Sequence, residues 1–297
     1  MNSDAPLLVA GFARTGRRWL RRDTGAMIAA LVLLTFAVIC LLAPVTAPYD
    51  PAVHQDLETL KFNPPSLEHP MGTDHYSRDV LSRWLYGGRL SLTVALFATL
   101  VSVTVGTAYG AAAGYADGWV ATILDRILDA LLAIPRLLLL IAIFAAWRER
   151  LTIAGFIVTL GVTGWYALAR LVRGQVLALK AQDFVTSARA LGATRMRILT
   201  GHILPNIATQ VVVAATLGVG HVILLEAGLS WLGIGIAIPQ PSWGNMIQEG
   251  SSSLEYMTSS WWVAFFPGLA IMITVIAFNV LGDAVLRALS ARQSGLE

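Results

Sequence analysis

Apolar residues in this chain collect into long runs, with most polar residues gathered between them. Six stretches reach the roughly 20 predominantly apolar residues that a membrane-spanning helix needs: Ala26–Val45, Leu90–Tyr115, Ile123–Trp147, Leu151–Ala169, Ile207–Leu225 and Trp261–Leu281. The first follows Arg14, Arg17, Arg18, Arg21 and Arg22. Its apolar core exceeds the ~7–15 residues of a signal peptide, so it reads as an uncleaved span. The fifth is diluted by Gly218, Gly220 and His221, and a Gly-broken apolar patch, Gly228–Ile238, follows it with the character of a re-entrant or interfacial segment. Between the fourth and fifth runs the pattern changes: Asp183–Pro205 is cationic, with a glycine between two short helical patterns.

Composition agrees with an all-α integral membrane protein. Hydrophobic residues make up 56% and charged residues 13%, with a mean hydropathy of +0.66; soluble domains carry about 25% charged residues. The single cysteine, Cys40, lies within an apolar run, which excludes a disulfide framework and a cysteine-based metal site. A pI near 9.2 raises the question of nucleic acid, but charge placement accounts for it. Basic flanks are retained in the cytoplasm. With the N-terminus inside, that side holds thirteen basic residues: the five N-terminal arginines, Arg170, Arg173, Lys180, Arg189, Arg195, Arg197, Arg287 and Arg292. The outer segments hold six, Lys61, Arg78, Arg83, Arg89, Arg148 and Arg150, together with ten acidic residues. Six spans with both termini cytoplasmic is the expected topology, and it places Asp183–Pro205 in the cytoplasm.

In that segment Asp183 is expected as an N-cap, with Phe184, Ala188 and Leu191 forming an apolar stripe at spacings of four and three. Gly192 suits the left-handed conformation that closes a helix, and Thr194 suits the cap of the next, which runs through Leu204 and Pro205 into the fifth span.

Ala188-Arg189-Ala190-Leu191-Gly192, followed by Leu204-Pro205, resembles the "EAA" loop of permease subunits of binding-protein-dependent ABC importers. His69-Pro70-Met71-Gly72-Thr73-Asp74, Arg78-Asp79-Val80-Leu81-Ser82-Arg83 and Ala169-Arg170-Leu171-Val172-Arg173-Gly174-Gln175 narrow the likeness. With Pro241-Ser242-Trp243-Gly244-Asn245-Met246 and Phe266-Pro267-Gly268-Leu269-Ala270, it is similar to the second permease of the dipeptide/oligopeptide/nickel branch. The resemblance implies a type I importer permease fold of six transmembrane helices with a cytoplasmic coupling helix. It would comprise a basic tail (1–25), a first span and outer loop (26–89), the permease domain (90–285, coupling loop 183–205) and a second tail (286–297). Asp183, Phe184, Thr186, Ser187, Ala188, Arg189, Leu191, Gly192, Arg195, Leu204 and Pro205 would couple to an ATPase. Implied partners are a homologous second permease, two ATP-binding subunits or one fused, an extracytoplasmic solute-binding protein and the lipid of a prokaryotic inner membrane. ATP and Mg would sit on the partner subunits, with no cofactor on this chain and no nucleic acid. Thr186 stands where the family usually has glutamate, which removes one capping-box bond if Asp183 is the cap. Ser77 stands where glycine is common.

Further residues suggest chemistry within the membrane. Gly106, Gly110 and Gly114 form a stripe suited to close helix packing. Pro135 is expected to kink the third span, and Arg136 is a costly intramembrane charge that faces a partner or a cavity. Asp129 lies about 10 Å from Arg136 along the axis, within reach only through a bent or water-linked arrangement. Glu226 and Trp243 are expected at an outer gate. His54, His69, His75 and Asp74 fit no compact metal spacing, so no metal is expected. An intramembrane serine protease would need a base for Ser230, but His221 lies on the opposite face of a continuous helix. A secondary transporter or channel is the better alternative, but neither an internal repeat nor paired mid-span acids are present. No P-loop occurs, so this chain is not the ATPase and is not expected to be an enzyme.

Overall fold

The computed structural model describes residues 23–53, 56, 59–147, 152–236, 240–252 and 254–293. Among them the secondary structure is helical, apart from one β-bridge between Thr73 and Asp79. The arginines at 14–22, His54, and the charged residues 148–150 lie outside the described residues.

Asp23 caps α1 (Thr24–Leu41) by accepting the Ala26 N–H at 3.1 Å, and a short α2 (Ala43–Thr46) follows with Pro44 in its first turn. Helix α3 (Val80–Tyr115) has 36 residues, about 54 Å at 1.5 Å per residue, and so outruns the ~30 Å hydrocarbon layer. It begins ten residues before the apolar run because Asp79 caps it, accepting the Ser82 N–H at 2.7 Å.

The third span is broken rather than kinked. Helices α4 (Gly118–Leu132) and α5 (Arg136–Trp147) meet at 76°, with Pro135 in the break. Proline has no N–H and its ring blocks the preceding turn, so the helix stops and restarts. The fourth run likewise divides into α6 (Ile153–Val162) and α7 (Trp165–Lys180), parted by Thr163 and Gly164. Then follow α8 (Asp183–Ala190), α9 (Arg195–Ile198), a π turn (Leu199–Ile203) and α10 (Leu204–Trp231). The expected re-entrant patch is corrected in part: Gly228–Trp231 form the last turn of α10, and residues 237–239 lie outside the described residues. Helices α11 (Trp243–Gly250), α12 (Leu254–Ser259) and α13 (Trp262–Gln293) complete the chain. Among the described residues five helical stretches are long and apolar enough to cross a membrane, α1, α3, α6 with α7, α9 through α10, and α13, and the bent α4–α5 pair makes a sixth if it acts as one span.

Helix α3 is central, touching α1, α6, α7, α10 and α11. Lipid is as apolar as leucine, so helices associate here by close packing rather than by escape from solvent. Against α7 the fit depends on glycine. A Cβ at Gly106 would lie 2.9 Å from the Trp165 carbonyl, one at Gly110 would lie 2.5 Å from that of Ala169, and one at Gly114 would lie 2.7 Å from Val176 Cβ. The main core joins Val94, Ala95 and Ala98 of α3 to Phe144, Leu160 and Ile223. A second cluster, with Val172, Val176, Ile198 and Ile203, lies beneath α8.

Candidate functional site

The loop around α8 is held from below and open above. Val185 is fully buried in the second cluster and Ala188 packs against its edge, whereas Phe184 is 42% exposed and Leu191 88%. The single stripe read from the sequence is therefore corrected. Phe184 and Leu191, seven residues apart, share the outward face, and Val185, which the stripe omitted, is the anchor. Asp183 is also corrected: it is the first helical residue, and Gln182 is the cap, without a side-chain bond. A carboxylate in the first turn still complements the positive helix end. Position 186 accordingly falls outside a capping box.

Gly192 takes φ +81°, the left-handed conformation expected for it. Its N–H donates to the Arg189 carbonyl and that of Ala193 to the Ala188 carbonyl, both at 3.0 Å, the paired closure of a Schellman motif. Thr194 caps α9 by accepting the Arg197 N–H at 3.3 Å. The π turn follows because Pro205 cannot donate a helical hydrogen bond; the Leu204 N–H bonds instead to the Leu199 carbonyl. Thr186, Ser187, Arg189 and Arg195 are exposed. Lys180, not singled out by sequence, ties this loop to α3. Its ammonium donates to Asp117 at 2.6 Å and to the Tyr115 carbonyl at 2.9 Å, and Asp117 also lies 3.8 Å from Arg195. The Lys180 hydrogen bond and charge hold the Asp117 carboxyl below its ordinary range.

Midway along the spans, Asp129 and Arg136 do not meet. Asp129 pairs with Arg170 and Asp125 with Arg173 at 3.0 Å, both across α4 and α7, since the bend after α4 turns Arg136 away. Arg136 instead donates to the Leu160 carbonyl at 2.8 Å. That carbonyl lies at the frayed end of α6, and Ser102 similarly donates to the Gly161 carbonyl at 2.8 Å. A Cβ on Gly164 would lie 2.7 Å from the Arg136 guanidinium, so glycine makes the room for it.

At the end of the bundle away from α8, the expected gate residues are packed inside. Glu226 is fully buried and accepts hydrogen bonds from Ser91 at 3.1 Å and Ser230 at 2.8 Å. Trp243 is fully buried too, its indole donating to the Trp84 carbonyl at 3.0 Å and its amide to Ser91 at 3.2 Å. Both lie inside the bundle, Glu226 on α10 and Trp243 at the start of α11. Close approach explains the burial, for a Cβ on Gly244 would lie 2.7 Å from Ala227 Cα.

Beside them lies a buried charge quartet. Arg78 donates to Asp74 and to Glu249, each at 2.7 Å, while Arg83 donates to Glu249 at 2.6 Å and also to Asp74. Burial works against the Asp74 carboxylate, but Arg83, Arg78 and the Arg78 and Tyr76 amides outweigh it and hold its pKa below the usual value. Asp74, His75 and Glu249 offer donor atoms within 4.8 Å of one another, but two guanidinium groups already balance the two carboxylates. A cation would displace arginine, so the set does not fit a metal. His69 meets Asp79 at 2.9 Å. Ser77 takes φ +57°, the conformation that a glycine there would adopt without strain.

Residues 106–295 match the family model described as "Binding-protein-dependent transport system inner membrane component", and residues 11–65 match "N-terminal TM domain of oligopeptide transport permease C". The glutathione transport system permease protein GsiD of Shigella flexneri serotype 5b (strain 8401) is 43% identical over 278 residues, covering 94% of this chain and 90% of that protein. The protein of the same name from Escherichia coli O6:K15:H31 (strain 536 / UPEC) is 41% identical over the same extent.

Proposed function

This chain belongs to the binding-protein-dependent transport system inner membrane component family and is a permease subunit of a peptide-type ABC importer; from that premise we propose that it carries glutathione or a closely similar peptide-like solute. Its work is transport, and ATP hydrolysis lies on separate subunits. Its partners are a homologous second permease, two ATP-binding subunits or one fused, which hold ATP and Mg, and an extracytoplasmic binding protein. Both termini and the α8 loop face the cytoplasm. The basic residues Arg170, Arg173, Lys180, Arg189, Arg195 and Arg197 near that loop favour this orientation.

The observation that carries the coupling role is the outward ridge of Phe184 and Leu191 on a helix pinned beneath by Val185. A partner that grips the ridge moves α8 as a rigid piece. Motion then passes through Val185 to Val172 and Val176 of α7, and through Lys180 to the turn between α3 and α4. Because α3 and α7 are locked along the glycine stripe, they tilt together and switch access between the two sides.

Reconstitution of the full complex in proteoliposomes tests this with labelled glutathione. Leu191→Asp places a charge on the ridge without touching the buried cluster, and uptake together with binding-protein-stimulated ATPase activity is expected to fall about tenfold or more, as for the loss of a central interface contact. Retained uptake would remove α8 from coupling. Uptake of another peptide but not of glutathione by the wild-type complex would overturn the solute alone.

A further inference from the structure

We propose that Arg136 forms a carboxylate-binding subsite in the solute pathway, where the third span breaks beside the Thr163–Gly164 interruption of the fourth. The proposal rests on the permease reading above and adds the chemistry of recognition.

The arginines of this chain supply the first argument. Four in the described residues are buried or half-buried: Arg78, Arg83, Arg136 and Arg173. Three of them have a carboxylate within 3.0 Å. Among the described residues Arg136 has none, and its guanidinium donates to the neutral Leu160 carbonyl. A carbonyl satisfies one N–H but does not balance the charge, and an unbalanced guanidinium within a span is costly. A carboxylate bound from outside the chain would supply the missing charge, through the planar two-pronged contact that guanidinium favours.

Location supplies the second. Arg136 is the first residue of α5, midway along the bent pair, and its side chain reaches across to the break between α6 and α7. Broken helices near the middle of a membrane are where transporters expose polar groups to a solute. Tyr166 of α7 and His221 of α10 lie close enough for the Arg136 charge to act on both. A phenol on α7 and an imidazole on α10 thus stand within electrostatic reach of the Arg136 cation on α5. Tyr166 is half-buried and His221 exposed.

The competing role is a pin: Arg136 would do no more than tie α5 to the end of α6. Charge separates the two roles, because glutamine can donate to the Leu160 carbonyl but carries no charge, whereas lysine keeps the charge. The test uses the full complex in proteoliposomes, with labelled glutathione, a solute bearing two carboxylates, as probe. Arg136→Gln is expected to raise the solute concentration for half-maximal uptake about tenfold or more, the loss of one charge-assisted hydrogen bond, with the smaller effect on maximal rate. Arg136→Lys is expected to recover most of that loss. Equal behaviour of the two variants, or a fall confined to maximal rate, would make Arg136 a pin and overturn the subsite. Loss of assembly with the second permease in Arg136→Gln, restored in Arg136→Lys, would assign the charge to a partner residue instead. If the wild-type complex takes up another carboxylate-bearing peptide but not glutathione, the solute reading alone falls, and an unchanged half-maximal concentration for that peptide in Arg136→Gln would overturn the subsite.

Discussion

Removing Glu249 is expected to expose how the end of the bundle away from α8 is held. Glu249 lies on α11, and its carboxylate receives Arg78 from the loop before α3 and Arg83 from the first turn of α3. Both guanidinium groups are nearly sealed, at 2% and 1% exposure. In Glu249→Met two cations share the single carboxylate of Asp74, and stripping one partner from a buried pair costs about 3–5 kcal/mol. With an unfolding entropy of ~2.1 cal/mol/K per residue, a chain of 297 residues loses about 5–8 °C in Tm for that cost. The assay is thermal unfolding of the purified complex, followed by fluorescence of the buried Trp84, Trp243 and Trp262. Adding Arg83→Met restores balance, leaving the Asp74–Arg78 pair, and the double variant is expected to recover at least half of the loss. Salt should change little, because sealed pairs are poorly screened. A single variant within about 1 °C of wild type, or a double variant less stable than the single, would refute the charge-balance reasoning.

The other structural predictions concern packing and pH. Gly110→Val puts a side chain against the Ala169 carbonyl and Val172 and is expected to cost ~1–3 kcal/mol, read as a lowered Tm. Gly174→Ala meets nothing within 4 Å in the same helix pair and is expected to be neutral or stabilising by up to ~1 kcal/mol. His75 lies beside Asp74, Glu249, Arg78 and Arg83, and burial holds its pKa below the ordinary 6.5. The unfolded chain therefore binds this proton more readily, so the stability from neutral His75 is complete above pH 6.5 and is lost as pH falls below it. Tm should fall as pH drops below 6.5 in the wild type and fall less in His75→Gln; an unchanged fall would assign the titration elsewhere.

The sequence alone determined the features whose cause is local. Runs of apolar residues set the spans, since length and hydropathy are properties of the run itself. The closure at Gly192 and the cap at Thr194 were legible for the same reason: each depends on residues within one or two turns. Even locally, competition hid details. Asp183 and Gln182 both stood at the start of α8, and only the folded backbone chose Gln182 as the cap. Everything that joined distant positions was decided by the tertiary structure. No spacing rule links Arg83 to Glu249, 166 residues away, or sends Asp129 to Arg170 instead of Arg136. Glu226 stands where its run leaves the membrane and Trp243 in a loop suited to the interface, and only the approach of Gly244 to Ala227 shows that both pack inside the bundle. Pro135 announced a disturbance, but only the folded chain shows that the span is broken at 76° rather than kinked. Helix formation is satisfied within a segment, whereas charge balance and close packing are satisfied between segments, and only the assembled bundle decides which segments meet.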